Sequence, residues 1–383
     1  MGASESLIVD GTIESPRQPQ NGTRFDQAVI TGNLANVKAA LQQPNVDINK
    51  QYQLGNTALY YACTRGYDSI AEYLLQNGAS MCIATNSGLL PIHATAWTGH
   101  VHVMRILIKY HADVNINSKK MMCPLFLALR NGNVDCAELL LENGADLKRM
   151  SRLDDLLVKA PWNGDEKVVQ FLIRHKIDVT AQVGKKGNHM IHLAAWNGHY
   201  KIVSLLLDQG EKVSCKGHAG LTALHNATLN NHLQTVEFLL DAGADISSQS
   251  DSFLQQPLHL ATSKGHSDIV IALLNHGADI SARDKNGLTP LHYAASKENA
   301  DIIKILINFG ADRLAKTLKG TLPASLAKTK EIKNLINAMV TTPCVNSPAA
   351  SSVTMPSAPP MEFLPKDRTL CPSITMQITR SRN

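Results

Sequence analysis

Five histidines occupy the same place in a recurring stretch of the sequence. Their side chains are the strongest candidates in the chain for metal binding or proton transfer. An imidazole can bind a metal ion or transfer a proton near neutral pH. Neighbouring helices pack roughly 10 Å apart, whereas zinc lies about 2 Å from its ligands, so histidines spaced one per repeat cannot share an ion. We therefore interpret them as structural side chains that bridge backbone groups at the turn of their own or the next repeat. The five are His93, His192, His225, His259 and His292.

Other patterns that indicate catalysis are missing from the sequence. It has no G-x-S-x-G, no glycine-rich phosphate loop, no H-E-x-x-H and no kinase signature. The seven cysteines are scattered, and none form a C-x-x-C pair. Cys63 and Cys136 fall on helix faces where a small apolar residue would serve equally well. We predict reduced thiols in a cytosolic or nuclear setting, no catalytic residue, no metal ion and no cofactor.

Two glycine positions set the period of the elements that must hold these residues. Successive positions of the first glycine are 32 to 34 residues apart, and the second glycine keeps the same spacing. Such self-similarity predicts an array of stacked repeats. The first position is filled by Gly32, Gly66, Gly99, Gly132, Gly164, Gly198, Asn231, Gly265 and Glu298. The second is filled by Gly78, His111, Gly144, Lys176, Gly210, Gly243, Gly277 and Gly310.

The repeated unit reads G-x-T-P-L-H-x-A-A-x-x-G-H-x-x-I-V-x-x-L-L-x-x-G-A-D-I, and it resembles the ankyrin repeat. "SKGHSDIVIALLNHGADI", from Ser263 to Ile280, matches its second half almost letter for letter. Nine full units run from about Gly22 to Leu314, and a shortened tenth begins at Gly320. The resemblance implies an all-α solenoid of stacked helix–turn–helix units with finger-like turns. We place this ankyrin array at residues 22–340, between disordered segments 1–21 and 341–383.

Local physical chemistry supports the same unit. Thr289 and Pro290 place a capping hydroxyl before a proline at the first helical position. His111 and Lys176 replace a helix-ending glycine, which we expect to cost about 0.5 to 1 kcal/mol each. In the fifth unit Pro161 stands where the first helix should close. We expect that unit to bend or loosen the array. His100, His199 and His266, which follow the first glycine, are predicted to be structural like the other five histidines.

The binding surface is predicted where the repeats differ. In ankyrin arrays, which the unit resembles, the first helices and the fingers line a concave groove. The two positions after "AA" point into it. All three tryptophans of the chain, Trp97, Trp162 and Trp196, occupy these positions. Tryptophan and arginine are common at interface hot spots, so we predict apolar anchors flanked by charge. The predicted charged residues are Arg65, Arg130, Lys119, Lys120, Lys185 and Lys186.

The partner predicted from these residues is a protein or peptide, acidic or phosphorylated. A net charge of +5 and 18% charged residues, spread along both faces, argue against nucleic acid. No apolar run is long enough for a transmembrane helix, and the N-terminus lacks a secretory signal. We therefore expect a cytoplasmic protein, with the nucleus as an alternative.

The two ends carry short patterns only. "MGASES" fits N-myristoylation at Gly2, while residues 341–383 are rich in proline, serine and threonine. We predict a non-enzymatic adaptor that binds a partner in the groove. Two alternatives remain open: an inhibitor that masks a partner's surface, and a secreted bacterial effector that acts in the host-cell cytosol.

Overall fold

Helices arranged in successive antiparallel pairs make up nearly all of the regular structure. The computed structural model describes residues 24–184 and 186–338. The first helices of the pairs are α1 (Arg24–Ile30), α3 (Ala58–Arg65), α5 (Pro91–Thr98), α7 (Pro124–Arg130), α9 (Leu153–Asn163), α11 (Met190–Trp196), α13 (Ala223–Leu229), α15 (Pro257–Lys264), α17 (Pro290–Ser296) and α19 (Pro323–Leu326). The second helices are α2 (Leu34–Leu41), α4 (Asp68–Gln76), α6 (Val101–Lys109), α8 (Val134–Glu142), α10 (Glu166–Arg174), α12 (Tyr200–Asp208), α14 (Leu233–Asp241), α16 (Ser267–Asn275), α18 (Ala300–Asn308) and α20 (Lys330–Ala338).

These pairs lie in a single row. Each first helix contacts the first helix of the next repeat, from α1 to α19, and each second helix contacts the next second helix, from α2 to α20. The predicted linear array of nine full units and a shortened tenth is confirmed within the described residues. In the tenth unit the first helix is only four residues long.

A continuous apolar core runs along the row. In the ninth repeat Leu291, Ala294, Ile302 and Leu306 are completely buried, and the equivalent positions are buried in its neighbours. The alanines let adjacent first helices approach closely, while the larger side chains fill the space between the two rows. Because each pair buries its faces on its neighbours, the stability of one repeat depends on the next.

The helix ends follow the predicted rules of capping. Thr57 accepts a hydrogen bond from the backbone N–H of Tyr60 at 3.2 Å, as an N-cap residue should. Gly66 ends α3 with a φ of +73°, in the left-handed region. A Cβ atom at Gly66 would also lie 2.6 Å from Nδ1 of His100. Both the conformation and the contact therefore require glycine.

Side chains larger than glycine occupy the left-handed region at several helix ends. His111 and Lys176 have φ angles of 66° and 57°, which confirms that they adopt the glycine conformation. Asn231 and Glu298, at the other glycine position, have φ angles of 62° and 58°. These four residues carry backbone strain that a glycine would relieve.

The fifth repeat differs from the others in its first helix. Helix α9 is eleven residues long and continues past Pro161 to Asn163, two residues beyond the expected closure. Gly164 then ends it by donating a hydrogen bond from its N–H to the carbonyl of Ala160 at 3.1 Å. Pro161 removes one backbone donor near the helix end but is itself buried, so packing holds the last turn in place.

Finger-like turns precede most first helices. Thr85 closes one of them by donating its N–H to the carbonyl of Leu89 at 2.9 Å. The finger of the sixth repeat is an antiparallel hairpin of two short strands, β1 (Gln182–Val183) and β2 (Asn188–His189). A short 3-10 turn, Leu147–Arg149, stands before α9 instead of a finger.

Four predictions fall on residues outside the described ranges. They concern the segments 1–21 and 341–383, myristoylation at Gly2, and Lys185, which lies between the two described ranges. Within the described ranges, no helix has both the length and the apolar character needed to cross a bilayer.

Candidate functional site

The five histidines of the first helices connect each repeat to the next, as predicted. Nδ1 of His225 accepts a hydrogen bond from the backbone N–H of Thr222 at 3.2 Å. Because Nδ1 is an acceptor, the proton lies on Nε2, which donates to the carbonyl of Gln255 in the next repeat at 3.2 Å. His93, His192, His259 and His292 make the equivalent pair of bonds. These imidazoles bridge backbone groups.

Burial keeps these five imidazoles neutral. It lowers the pKa of His93, His192 and His225 to about 4, against backbone hydrogen bonds that act in the opposite direction. The pKa values of His259 and His292 are also lowered by burial. Protonation would add a second donor at Nδ1, where a backbone N–H already points, and would break the contact.

The histidines that follow the first glycine make a second set of contacts between repeats. Nε2 of His199 lies 3.2 Å from the carbonyl oxygen of Trp162. His232 reaches the carbonyl of Trp196 at 2.9 Å, and His100 and His266 make equivalent contacts with Thr64 and Leu229. The structural prediction for His100, His199 and His266 is confirmed. These bonds fix the backbone at the C-terminal ends of the first helices, where the tryptophans lie.

The three tryptophans differ in exposure. Trp162 and Trp196 are 44% and 37% exposed, so large apolar rings stand in solvent. Trp97 is half-buried and packs partly against the core. A ring that serves only as core would be closed off by its neighbours, and neither Trp162 nor Trp196 is.

Arginines accompany the aromatic rings. Arg130 belongs to the repeat that follows that of Trp97, and its guanidinium carbon lies 5.6 Å from the centroid of the Trp97 ring. Arg65 is exposed and stacks over Tyr61 at 5.4 Å. Cation–π contacts of this kind orient the guanidinium while leaving its edge available for an anion.

Arg130 belongs to a cluster of three cations. Arg152 stacks over the Phe126 ring at 5.2 Å and forms an ion pair with Asp155 at 2.5 Å. Burial and the neighbouring Arg152 lower the pKa of Arg130, and burial and Arg130 lower the pKa of Lys159. For both groups, the largest effect of a neighbouring charge on the pKa comes from a cation: Arg152 for Arg130, and Arg130 for Lys159. We call Arg130, Arg152 and Lys159 the cation cluster.

Three of the predicted lysines lie on fingers of the array. Lys119 and Lys120 are exposed, and Nζ of Lys119 donates to the carbonyl of Asn86 at 3.1 Å. Lys186 is exposed in the turn of the β1–β2 finger.

The family match decides what kind of array this is. The family model described as "Ankyrin repeats (3 copies)" matches residues 25–118, 83–151, 156–250 and 248–317. The chain belongs to the ankyrin repeat family. Ankyrin repeats are protein–protein interaction modules. The helix pairs, fingers and bridging histidines described above are the parts of this chain that correspond to the repeat.

Similar ankyrin proteins occur in very different organisms. The chain is 28% identical over 229 residues to human transient receptor potential cation channel subfamily A member 1, covering 48% of this chain and 20% of the channel. It is 34% identical over 122 residues to "Probable 26S proteasome regulatory subunit p28" of Saccharomyces cerevisiae, covering 31% and 54%. An ankyrin repeat protein of Rickettsia felis is 33% identical over 119 residues, covering 30% and 39%. The matches thus span between one fifth and about half of these relatives.

Sequence reasoning missed Lys159 of the cation cluster. Lys159 stands three residues before Trp162 on α9, a spacing that places two side chains on the same face of a helix. That spacing was the available signal. It was hidden because the fifth ankyrin repeat lacks the T-P-L-H opening by which the other repeats are aligned.

Proposed function

We propose that the chain is a non-enzymatic cytoplasmic adaptor whose ankyrin array binds an acidic or phosphorylated segment of a partner protein. The binding surface, which we call the proposed groove, comprises the ends of the first helices and the fingers of repeats two to six. Its members are Arg65, Trp97, Lys119, Lys120, Arg130, Arg152, Lys159, Trp162, Lys186 and Trp196.

The observation that carries this proposal is the juxtaposition of exposed indoles with the cation cluster. Trp162 and Lys159 lie on one face of α9, and Arg130 from the preceding repeat lies close enough to Lys159 to lower its pKa. Large apolar rings beside desolvated cations match a ligand with an apolar side chain next to an anion.

A phosphate group fits the cluster better than a single carboxylate does. Arginine binds phosphate through two parallel N–H donors, and lysine adds a point charge. Burial, then repulsion from a neighbouring cation, lowers the pKa of Arg130 beside Arg152 and that of Lys159 beside Arg130. A dianion bound at the cation cluster would offset this repulsion. Binding should therefore weaken steeply as salt is added, because part of its free energy is electrostatic.

A peptide array tests the proposal directly. Each immobilised peptide is presented unmodified, phosphorylated and with alanine at the modified position, and is probed with the full chain. We expect the chain to prefer phosphorylated or acidic peptides with a neighbouring apolar residue. The double variant Trp162→Ala/Trp196→Ala should lose at least tenfold in signal.

A control variant separates the groove from general surface effects. Phe309 is 44% exposed but lies at the end of the second helix α18, outside the proposed groove. Phe309→Ala should bind the same peptides as the unmodified chain. Equal binding by the tryptophan double variant, or a preference for unmodified neutral peptides, would contradict the proposal.

A further inference from the structure

A separate group of polar side chains lies where the β1–β2 finger meets the loop that follows α12. Its members are His189, Glu211 and Cys215. Metal-binding atoms of the three lie within 4.8 Å of one another. His189 ends β2, while Glu211 and Cys215 follow α12, so the group joins the finger of the sixth repeat to the loop that leads into the seventh.

Glu211 is a charged residue at a position of the repeat that is otherwise apolar. Its side chain is only 3% exposed. A buried carboxylate costs free energy unless it is paired or binds a cation. The equivalent position is apolar in the other eight full repeats. Those residues are Val46, Ala79, Ala112, Ala145, Ile177, Ala244, Ala278 and Ala311.

The surrounding distances fit a small cation. Nδ1 of His189 lies 3.3 Å from Oε1 of Glu211 and 2.9 Å from the carbonyl oxygen of Thr180. The Cys215 thiol forms a hydrogen bond with the Glu211 carboxylate. Ligands at about 2.0–2.3 Å from a tetrahedral zinc ion lie about 3.3–3.8 Å apart, so the group needs to contract by about 1.5 Å at most.

We propose that His189, Glu211 and Cys215 form a zinc-binding site. Imidazole nitrogen, carboxylate oxygen and thiolate sulfur are the three ligand types that zinc takes in proteins. A water molecule or the carbonyl oxygen of Thr180 completes four ligands. Before binding, Nδ1 of His189 donates its proton toward the Thr180 carbonyl and the Glu211 carboxylate. On binding, the thiol proton and the Nδ1 proton pass to solvent, and Nε2 takes up one proton from solvent while Nδ1 binds the ion, so that one proton is released in total.

Zinc at this place would fasten the β1–β2 finger to the body of its repeat. In the preceding repeat, Val158 occupies the position of the bridging histidines. The β1–β2 finger therefore receives no hydrogen bond from an imidazole at that position. The metal would instead hold the finger that carries Lys186 to the loop that follows α12. This site is independent of the groove proposed above.

Cobalt(II) gives the most direct test because its bond to a thiolate has a characteristic near-ultraviolet charge-transfer absorption. The untagged, metal-free full chain is titrated with Co²⁺ and then with Zn²⁺. We expect one such band that zinc abolishes. The band should be lost in Cys215→Ser and kept in Cys82→Ser, whose cysteine is exposed. No band, or a band that survives Cys215→Ser, would overturn the proposal.

A second variant guards against a folding defect at Cys215. Glu211→Ala restores the residue that six other repeats carry, so it should fold. Zinc affinity, measured by competition with a chelator, should fall at least tenfold in Glu211→Ala and remain unchanged in Cys82→Ser. If zinc binds both variants and the parent chain equally, the three side chains form only a hydrogen-bonded group and the zinc site is wrong.

Discussion

Repeats three and six to nine carry a buried imidazole in the first helix, whereas repeats four and five carry Phe126 and Val158 at that position. Where the imidazole is present, Nε2 holds the finger of the next repeat. After Phe126 the following finger is reduced to a 3-10 turn, and after Val158 it becomes the β1–β2 hairpin, which is held by its own strand pairing. The helices nevertheless stay in one row.

The comparison separates two functions of the repeat sequence. Apolar stacking sets the row of helices, and the imidazoles, where they are present, attach the next finger to it. In repeats four and five the loss of the imidazole coincides with the cation cluster and with Trp162, so the region that departs most from the pattern is also the centre of the proposed groove.

The largest expected effect is a loss of stability in acid. The folded-state pKa of His93, His192 and His225 is about 4, below the ordinary value of 6.5, so the unfolded chain binds protons first as pH falls. The contribution of these imidazoles to the free energy of unfolding is fully present above about pH 6.5. It is lost as the pH falls from about 6.5 to 4, by about 1.4 kcal/mol per pKa unit for each imidazole. Urea denaturation at pH 7.5, 6, 5 and 4.5 measures it. His225→Gln should show a shallower dependence, and an equal slope would refute the assignment.

Truncating a bridging imidazole should lower the free energy of unfolding more than truncating Val158, which occupies the same position in the fifth repeat. His225→Ala leaves a cavity and two unsatisfied backbone groups, so we expect a loss of about 2–4 kcal/mol. Val158 is half-buried, and Val158→Ala should cost about 1 kcal/mol. Denaturation at pH 7.5 compares them, with exposed His218→Ala as a control. Equal losses at the two positions would mean that the imidazole does not hold the finger.

The tryptophans should divide by burial. Trp97 packs partly against the core and under Arg130, so Trp97→Ala should lower the free energy of unfolding by about 1–2 kcal/mol. Trp162→Ala should lower it by less than about 0.5 kcal/mol, since Trp162 is 44% exposed and lies outside the core. Thermal denaturation of the two variants measures both changes in stability. A larger loss of stability in Trp162→Ala than in Trp97→Ala would place the Trp162 ring in the core.

The smallest effect concerns the helix ends. Lys176 is exposed with a φ of 57°, and Lys176→Gly should stabilise the chain by about 0.5–1 kcal/mol. The reverse change at an equivalent position, Gly243→Lys, should destabilise it by a similar amount, since open space surrounds Gly243. A shift of the same sign in both variants would show that side-chain contacts outweigh the backbone conformation.

The sequence predicted the fold well because the repeat encodes the same local contacts many times. Thr57 as a cap, Gly66 as a helix end and His225 as a bridge each follow from residue type and position. The extension of α9 past Pro161 did not follow, because tertiary packing of a buried proline overrode its local preference.

The candidate site was less predictable. The exposed rings of Trp162 and Trp196 follow from their place after the two small core residues, but the partial burial of Trp97 depends on Arg130 of the next repeat. The group of His189, Glu211 and Cys215 was also missed. Its members look unrelated in the sequence, and only the packing of the finger against the following loop brings them together.

The measurement that tests the central claim most directly is calorimetric titration of four full-length chains with the best phosphorylated peptide from the array. The chains are the unmodified protein, Trp162→Ala/Trp196→Ala, Arg130→Gln/Lys159→Gln, and the matched control Lys264→Gln/Lys297→Gln. The control residues occupy the positions after the core alanines, but in repeats eight and nine, and both are exposed. We predict at least tenfold weaker binding for the two groove variants and unchanged binding for the control. Weakened binding in the control with full affinity in both groove variants would contradict the account.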